Sequence, residues 1–397
     1  MHNPSPFRCS GLALVLVLAA LLTLAPIILR RLAVSPPEVS AKTSNPASQP
    51  AKPRTQTNDA ERPPSPLNSP ASLAEILQRI AQSALQLKEC RTPDQARQVL
   101  ARLRGTLDAV PSAVTSGAIR EFLDLKADAP SRLVFSIGPN GHLSQASSLR
   151  VFLLDYLVQT DPPNAAQYAE KVFAAMDSPD EWAVSFRNYA LGMPGERARS
   201  HLSERFSAMV RHEPWQREPS IGFLQAFDTA VFLRAPELVP LLAEMLRQKE
   251  CPSVAQAAFL ALDRMVIQNP IMPLNLLLQD VDSMQGREAT RASYFARANA
   301  GDPAQRELLE NYLLSPRISG EEIGVFAALY PHTSSMISFN LLTATATPDN
   351  NELNRLEAEG LKAAGEWLAD PRFAGVRPHL ERLQKRLQRR EKVAANP

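Results

Sequence analysis

From residue 71 onward, apolar residues recur three and four positions apart, which is the period of α-helices that bury one face. In the first such stretch Ile76, Ile80 and Ala84 share a face, and Ser72 is a candidate N-cap. The same pattern returns in residues 93–107, 149–157 and 165–176. These spacings predict an all-α body.

One short segment has a different pattern. Residues 133–137 are mostly apolar and β-prone, and the turn sequence Gly138-Pro-Asn-Gly141 follows them. Both a strand and an extended connection between helices are consistent with this pattern.

The helical pattern repeats from about residue 163. Several times a helix ends near a small or polar residue and a proline, and a second, Ala-rich helix follows. The dipeptides at these points are Ser178-Pro179, Glu218-Pro219, Cys251-Pro252 and Ser315-Pro316. Residues 286–300 fit as a further unit without the proline. A period of about 30 to 40 residues is typical of stacked helix pairs, since a single pair cannot bury its own apolar face.

The repeat resembles HEAT-like α-helical repeats (α-solenoids) over residues 163–330, and the best single unit spans residues 236–265. The chain departs from the HEAT pattern at the turn, where it reads Lys249-Glu-Cys-Pro-Ser-Val-Ala255 in place of an Asp before the turn and Val-Arg after it. Most proteins with such repeats bind other proteins, so the resemblance implies an interaction surface.

The N-terminal residues have another character. Residues 11–29 carry no charge and would span about 28 Å as a helix, close to the hydrocarbon thickness of a bilayer. They predict a transmembrane helix within an N-terminal anchor, residues 1–31. A cleaved signal peptide is the competing interpretation, but Pro26 would lie just past the cut at Ala25, and Cys9 precedes the apolar run, so there is no lipobox.

Residues 32–70 contain nine prolines and no aromatic residue. Such a segment cannot bury enough apolar surface to offset its ordering entropy, so a disordered linker is predicted. As a coil it would reach about 35 Å. Arg30 and Arg31 after the apolar run favour a cytoplasmic body by the positive-inside rule, whereas the linker is typical of exported proteins. We expect the body on the periplasmic side of the inner membrane.

The rest of the chain divides into an N-terminal helical segment (71–162), the HEAT-like repeats (163–345) and C-terminal helices with a basic tail (346–397). Residues 372–392 hold eight basic side chains against Glu381 and Glu391, and Leu380, Leu383 and Leu387 form a narrow apolar stripe. This amphipathic basic helix could contact anionic lipid or an acidic partner, or it could be an ordinary last helix whose cations suit its C-terminal dipole.

No catalytic, cofactor-binding or metal site is predicted. The chain has no phosphate loop, dinucleotide-binding fingerprint, nucleophile elbow or HExxH motif, and its histidines lack metal-ligand spacing. The adjacent carboxylates Asp180-Glu181 and Glu321-Glu322 fall where helices begin, where the helix dipole stabilises negative charge. Trp182 has helical spacing with Phe186 and Tyr189, which favours a place in the core. Cys90 and Cys251 suggest no disulfide framework.

The net charge of +2 argues against nucleic-acid binding. We therefore expect a membrane-anchored helical-repeat protein that acts as a protein-interaction or scaffold module in the cell envelope and needs no cofactor. The alternative is an envelope enzyme with an unrecognised carboxylate-based site in the helical array. A sensor is a weaker alternative, because the short N-terminal side offers no output domain.

Overall fold

The computed structural model describes residues 72–345 and 349–395, with side chains as far as Glu391. The predicted anchor (11–29) and linker (32–70) lie outside these residues. Among the residues described, no helix is both long and apolar enough to cross a bilayer. The all-α body is confirmed.

Three helices and a small hairpin open the body. The helices are α1 (Leu73–Glu89), α2 (Pro93–Asp108) and α3 (Ser112–Asp124). The antiparallel hairpin has strands β1 (Ser136–Ile137) and β2 (Leu143–Gln145), joined through a 3-10 turn at Pro139–Gly141. Of residues 133–137, for which the sequence allowed a strand or an extended connection, the last two form a strand and the first three are an extended connection.

Helix α4 (Leu149–Thr160) leads into helix pairs that continue to the C-terminal end of the described chain. In each pair we name the first member the A helix and the second the B helix. The pairs, A before B, are α5 (Pro162–Ala175) with α6 (Pro179–Gly192); α7 (Glu196–Val210) and α8 (Glu213–Arg217) with α9 (Ile221–Gln225) and α10 (Asp228–Leu233); α11 (Leu238–Leu246) with α12 (Pro252–Gln268); α13 (Ile271–Gln279) with α14 (Glu288–Phe295); α15 (Pro303–Leu314) with α16 (Gly320–Leu329); and α17 (Asn350–Ala369) with α18 (Arg377–Ala395).

Helix α4 and the B helices stack on one another in chain order, so α4 is counted as the first of the row. Helix α4 contacts α6, α6 contacts α9, α10 contacts α12, α14 contacts α16, and α16 contacts α18. Between α12 and α14, the stacked rings of Phe259 and Tyr294 make the connection, with centroids 5.7 Å apart. The described helices thus form a row of B helices, with the A helices packed beside it.

Proline and side-chain caps set where the B helices begin. Ser178 accepts a hydrogen bond from the Glu181 N–H, and Pro179 occupies the first turn, where its missing N–H costs nothing. Helices α9 and α16 instead begin after Ser220 and Ser319, each of which caps its helix. The prolines at 219 and 316 lie just before those caps.

Aromatic side chains fill the core between the rows. Trp182 and Phe186 are fully buried, as predicted, and their rings pack edge-on. Trp182 also meets Phe173 of α5 and Trp215 of α8, at centroid distances of 5.0 and 5.6 Å. Burying each such side chain contributes about 1.5–3 kcal/mol. This cluster joins the first two helix pairs.

Candidate functional site

After α16 the chain does not turn directly into the next helix. Residues 331–345, here named the strap, run without helix or strand and without a charged side chain of Asp, Glu, Lys or Arg. Helix connections in bundles commonly take 2–8 residues, and longer ones without secondary structure are usually functional. The strap passes back along the B helices toward the hairpin, and its contacts define the candidate site.

The first contacts hold the start of the strap. The His332 N–H donates to the Ala296 carbonyl at 2.7 Å, and the Arg297 guanidinium donates to the carbonyls of His332 and Ser334. Arg297 is itself held by both carboxylate oxygens of Asp263, at 2.8 and 2.9 Å. Asp263 lies on α12 and Arg297 just after α14, so this pair, the Asp263–Arg297 clamp, spans two neighbouring B helices.

A second pair holds the end of the strap. Asp228 of α10 accepts the backbone N–H groups of Leu342 and Thr343, at 2.6 and 3.0 Å, and the Thr343 hydroxyl. Arg264 of α12 lies 2.9 Å from Asp228 and donates to the side chains of Asn340 and Thr343. This Asp228–Arg264 clamp again joins neighbouring B helices, and it binds both the backbone and the side chains of the strap.

The hairpin is held in the same manner one step earlier in the row. Arg187 of α6 pairs with Asp155 of α4 at 2.7 Å and donates to the Gly141 carbonyl at 2.6 Å, while Asp155 accepts the Leu143 N–H at 3.0 Å. Burial alone would raise the pKa of Asp155. The His142 imidazole, 3.8 Å away, the Arg187 charge and the Leu143 N–H outweigh burial and hold this pKa below its usual value.

The hairpin and the strap meet at one close contact. Gly141 has a positive φ of 76°, and a Cβ there would lie 2.4 Å from the Leu341 carbonyl oxygen. Only glycine combines this backbone conformation with this approach. Hairpin and strap thus form one continuous line across successive B helices. One Asp–Arg pair binds the hairpin, and two bind the strap.

The middle of the strap faces solvent. Met336, Ile337 and Phe339 are 59%, 71% and 59% exposed. We name residues 336–339 the crest. Across the described chain, the backbone amides of these three residues have no hydrogen-bond partner. Neighbouring exposed apolar side chains with unpaired backbone are typical of an interaction site.

The carboxylate pairs singled out in the sequence have structural partners. Glu181 forms a bidentate ion pair with Arg150, and Glu322 forms one with Arg291 at 2.6 and 2.9 Å. Asp180 accepts hydrogen bonds from the Ser147 and Ser220 hydroxyls and the Gly222 N–H. Both pairs begin helices, as predicted, but the half-buried Arg150 and the buried Arg291 join the helix dipole in stabilising Glu181 and Glu322.

The carboxyl groups with displaced pKa values favour the ionised form. Within residues 72–345 and 349–391, every carboxyl group with a displaced pKa has it lowered, which favours the ionised form; these are Asp155, Asp161, Glu288, Glu352 and Asp370. A general acid near neutral pH needs a raised pKa. The same residues contain no group of three or more His, Cys, Asp or Glu side chains placed to hold a metal ion.

The clamps were not among the predicted sites. The available signal was the recurrence of Asp and Arg one repeat apart, since Asp263 and Arg297 are separated by 34 positions. The uncharged run of the strap was a second signal. Comparison with known proteins finds no matching family model, no matching curated protein and no matching solved structure.

Proposed function

We propose that this protein is a membrane-anchored interaction module that binds another protein of the cell envelope through the strap. The observation that carries the proposal is the crest, where three large apolar side chains are exposed within four residues on a segment held at both ends by largely buried Asp–Arg pairs. An exposed apolar surface of this kind lowers the solubility of a protein, and a partner that covers it shields it from water.

The body is a suitable support for such a surface. Each clamp joins two B helices and the strap, so the crest is attached to a packed framework and not to a loose loop. A surface that is already ordered loses less conformational entropy when a partner binds. The stack of helix pairs supplies this order.

The proposed function includes the N-terminal anchor and the linker that follows it. Residues 11–29 would hold the chain in the inner membrane and residues 32–70 would tether the body on the periplasmic side. The uncharged run of the first segment and the prolines of the second support this arrangement. A tethered body would meet its partner within tens of ångströms of the bilayer.

The basic face of α18 gives a second, weaker contact. Leu380, Leu383 and Leu387 are buried against the body, so they are not available to enter a bilayer. Arg382, Lys385 and Arg389 remain exposed on the same helix. We propose that they attract anionic lipid headgroups by charge alone, which predicts a salt-dependent contact.

The test is quantitative crosslinking in cells that express the full-length protein. A crest variant, M336Q/I337Q/F339Q, is compared with the wild type and with a matched control, L85Q/L125Q, which removes exposed leucines elsewhere (62% and 65% exposed). We expect one or more proteins to crosslink to the wild type and the control and to be lost from the crest variant.

Two results would contradict the proposal in different ways. Equal capture by all three proteins would mean that the partner binds elsewhere on the body. Capture of no protein by any of them would remove the interaction function itself and leave the enzyme interpretation to be tested.

A further inference from the structure

The two clamps bind the strap in a way that does not depend on the strap belonging to the same chain. Asp228 accepts two consecutive backbone N–H groups, and Arg297 donates to two backbone carbonyls. Every extended polypeptide presents these groups. Backbone hydrogen bonds of this kind supply affinity when proteins recognise peptides, and side-chain pockets supply specificity.

Two polar groups on the helices that carry the Asp–Arg pairs lack hydrogen-bond partners. In the described residues, the Arg187 Nε atom and the Thr229 hydroxyl are buried without one. Arg187 bonds the hairpin where the strap meets it, and Thr229 follows Asp228 on α10. Buried polar groups are normally paired, so these two show that the packing around the strap leaves hydrogen bonds unmade.

Few side chains of the strap are buried. Pro331, Asn340 and Leu341 are the buried residues of the strap, and Leu342 packs half-buried against the core, whereas the crest is exposed. The strap is therefore held by three buried residues, one half-buried leucine and a set of polar contacts. Exchange of such a segment for an equivalent one gives up little apolar burial.

We infer that the groove between the clamps is a peptide-binding site and that the strap is its resident, displaceable occupant. This inference rests on the proposed function: the partner first meets the crest while the strap is in place, and an extended, uncharged segment of the partner then replaces the strap at the clamps. The observed occupant gives the pattern, with an amide side chain at the position of Asn340, a buried leucine next, and a hydroxyl at the position of Thr343.

The chemistry of the groove supports each part of this pattern. Both clamps are neutral pairs, so a charged residue placed against them would be desolvated without a counter-charge. Arg264 donates to the side chains of Asn340 and Thr343, which selects an amide oxygen and a hydroxyl. The 2% exposure of Leu341 selects an apolar residue between them.

The experiment adds a fluorescent peptide with the sequence of residues 338–345 to the full-length protein in detergent and measures its anisotropy. The protein variant N340A/T343V weakens the resident strap without altering either clamp. We expect this variant to bind the peptide about tenfold or more tightly than the wild type does, because the competing strap has lost charge-assisted hydrogen bonds. Adding D228N to it should weaken binding by a similar factor.

A control peptide carrying the same two replacements, N340A and T343V, should bind poorly to every variant. If the strap variant keeps the wild-type melting curve but binds neither peptide, or binds both equally, the inference is overturned. Loss of peptide binding while crest-dependent crosslinking persists would overturn this inference alone and leave the proposed function intact.

A second measurement needs no variant. Hydrogen exchange of the Leu342 and Thr343 amides in the wild-type protein reports the opening of the strap. We expect saturating peptide to accelerate their exchange, because the peptide replaces the strap at Asp228. Exchange that occurs only on global unfolding, with or without the peptide, would show that the strap never leaves.

Discussion

At the scale of single residues, His332, which begins the strap, lies near the charged Arg297 of its clamp. Burial and the nearby Arg297 guanidinium both lower the pKa of its imidazole from 6.5. The folded protein therefore keeps His332 neutral at pH values where the unfolded chain takes up a proton. The stability that this group contributes is complete above pH 6.5 and is lost as the pH falls below that value.

We expect the free energy of unfolding to decrease between pH 7.5 and pH 5.5 and to decrease less in H332Q, which cannot take up the proton in either state. Urea unfolding of both proteins at the two pH values measures this difference. The pKa of His379 is lowered in the same direction by burial and Arg382, so H379Q should remove a separate part of the pH dependence. An identical decrease in wild type and H332Q would contradict this account.

Single residues also show what could not be predicted from the sequence. The N-cap Ser72 was predictable, because its reciprocal bonds with Glu75 lie within one helical turn. The hydrogen bond between Asp228 and Thr343 was not predictable, because the two residues lie 115 positions apart and local patterns carry no signal over that distance. The core position of Trp182 followed from spacing alone, whereas its contact with Trp215 depends on how two helix pairs meet.

At the scale of elements, proline and cap residues specified the B helices well. Helices α6 and α12 begin at the prolines that predicted them, whereas α9 and α16 begin a few residues later, where Ser220 and Ser319 offer a cap. Side-chain capping determined the start in these cases. The strap could not be placed, because an extended segment without periodicity gains its structure only from the clamps.

Two glycines in helices offer a direct test of packing between elements. Gly105 lies on an exposed face of α2, where a Cβ would have no atom within 4 Å. A Cβ on Gly192 of α6 would lie 2.1 Å from the Pro162 carbonyl oxygen and 2.6 Å from the Ala166 Cβ. The first glycine is therefore replaceable, and the second is required for α5 and α6 to approach.

We expect G105A to stabilise the protein by about 0.5–1 kcal/mol, because alanine restricts the unfolded chain and favours helix. We expect G192A to destabilise it by about 1–3 kcal/mol, because the backbone of α5 must move. Chemical denaturation of the two variants side by side gives both values. Changes of the same sign in the two variants would show that the α5–α6 contact is less close than described.

At the scale of the whole molecule, the prediction concerns which side of the membrane the body occupies. With the chain fused at its C-terminus to alkaline phosphatase, which is active only outside the cytoplasm, we expect enzyme activity. The matched fusion to a fluorescent protein that matures only in the cytoplasm should stay dark. The opposite pair of results would place the body in the cytoplasm, as the positions of Arg30 and Arg31 favour.

The strap has one more consequence, for how the body comes apart. In an ordinary stack of helix pairs each unit contacts only its neighbours, so terminal units fray one at a time. Here a segment from near the end of the stack is fastened to α10 and α12 in its middle and touches the hairpin at Gly141 near its beginning. The strap thus couples distant units, because the middle of the stack cannot unfold without breaking the hydrogen bonds that hold the strap. A modular array thereby acquires the cooperativity of a single globular domain.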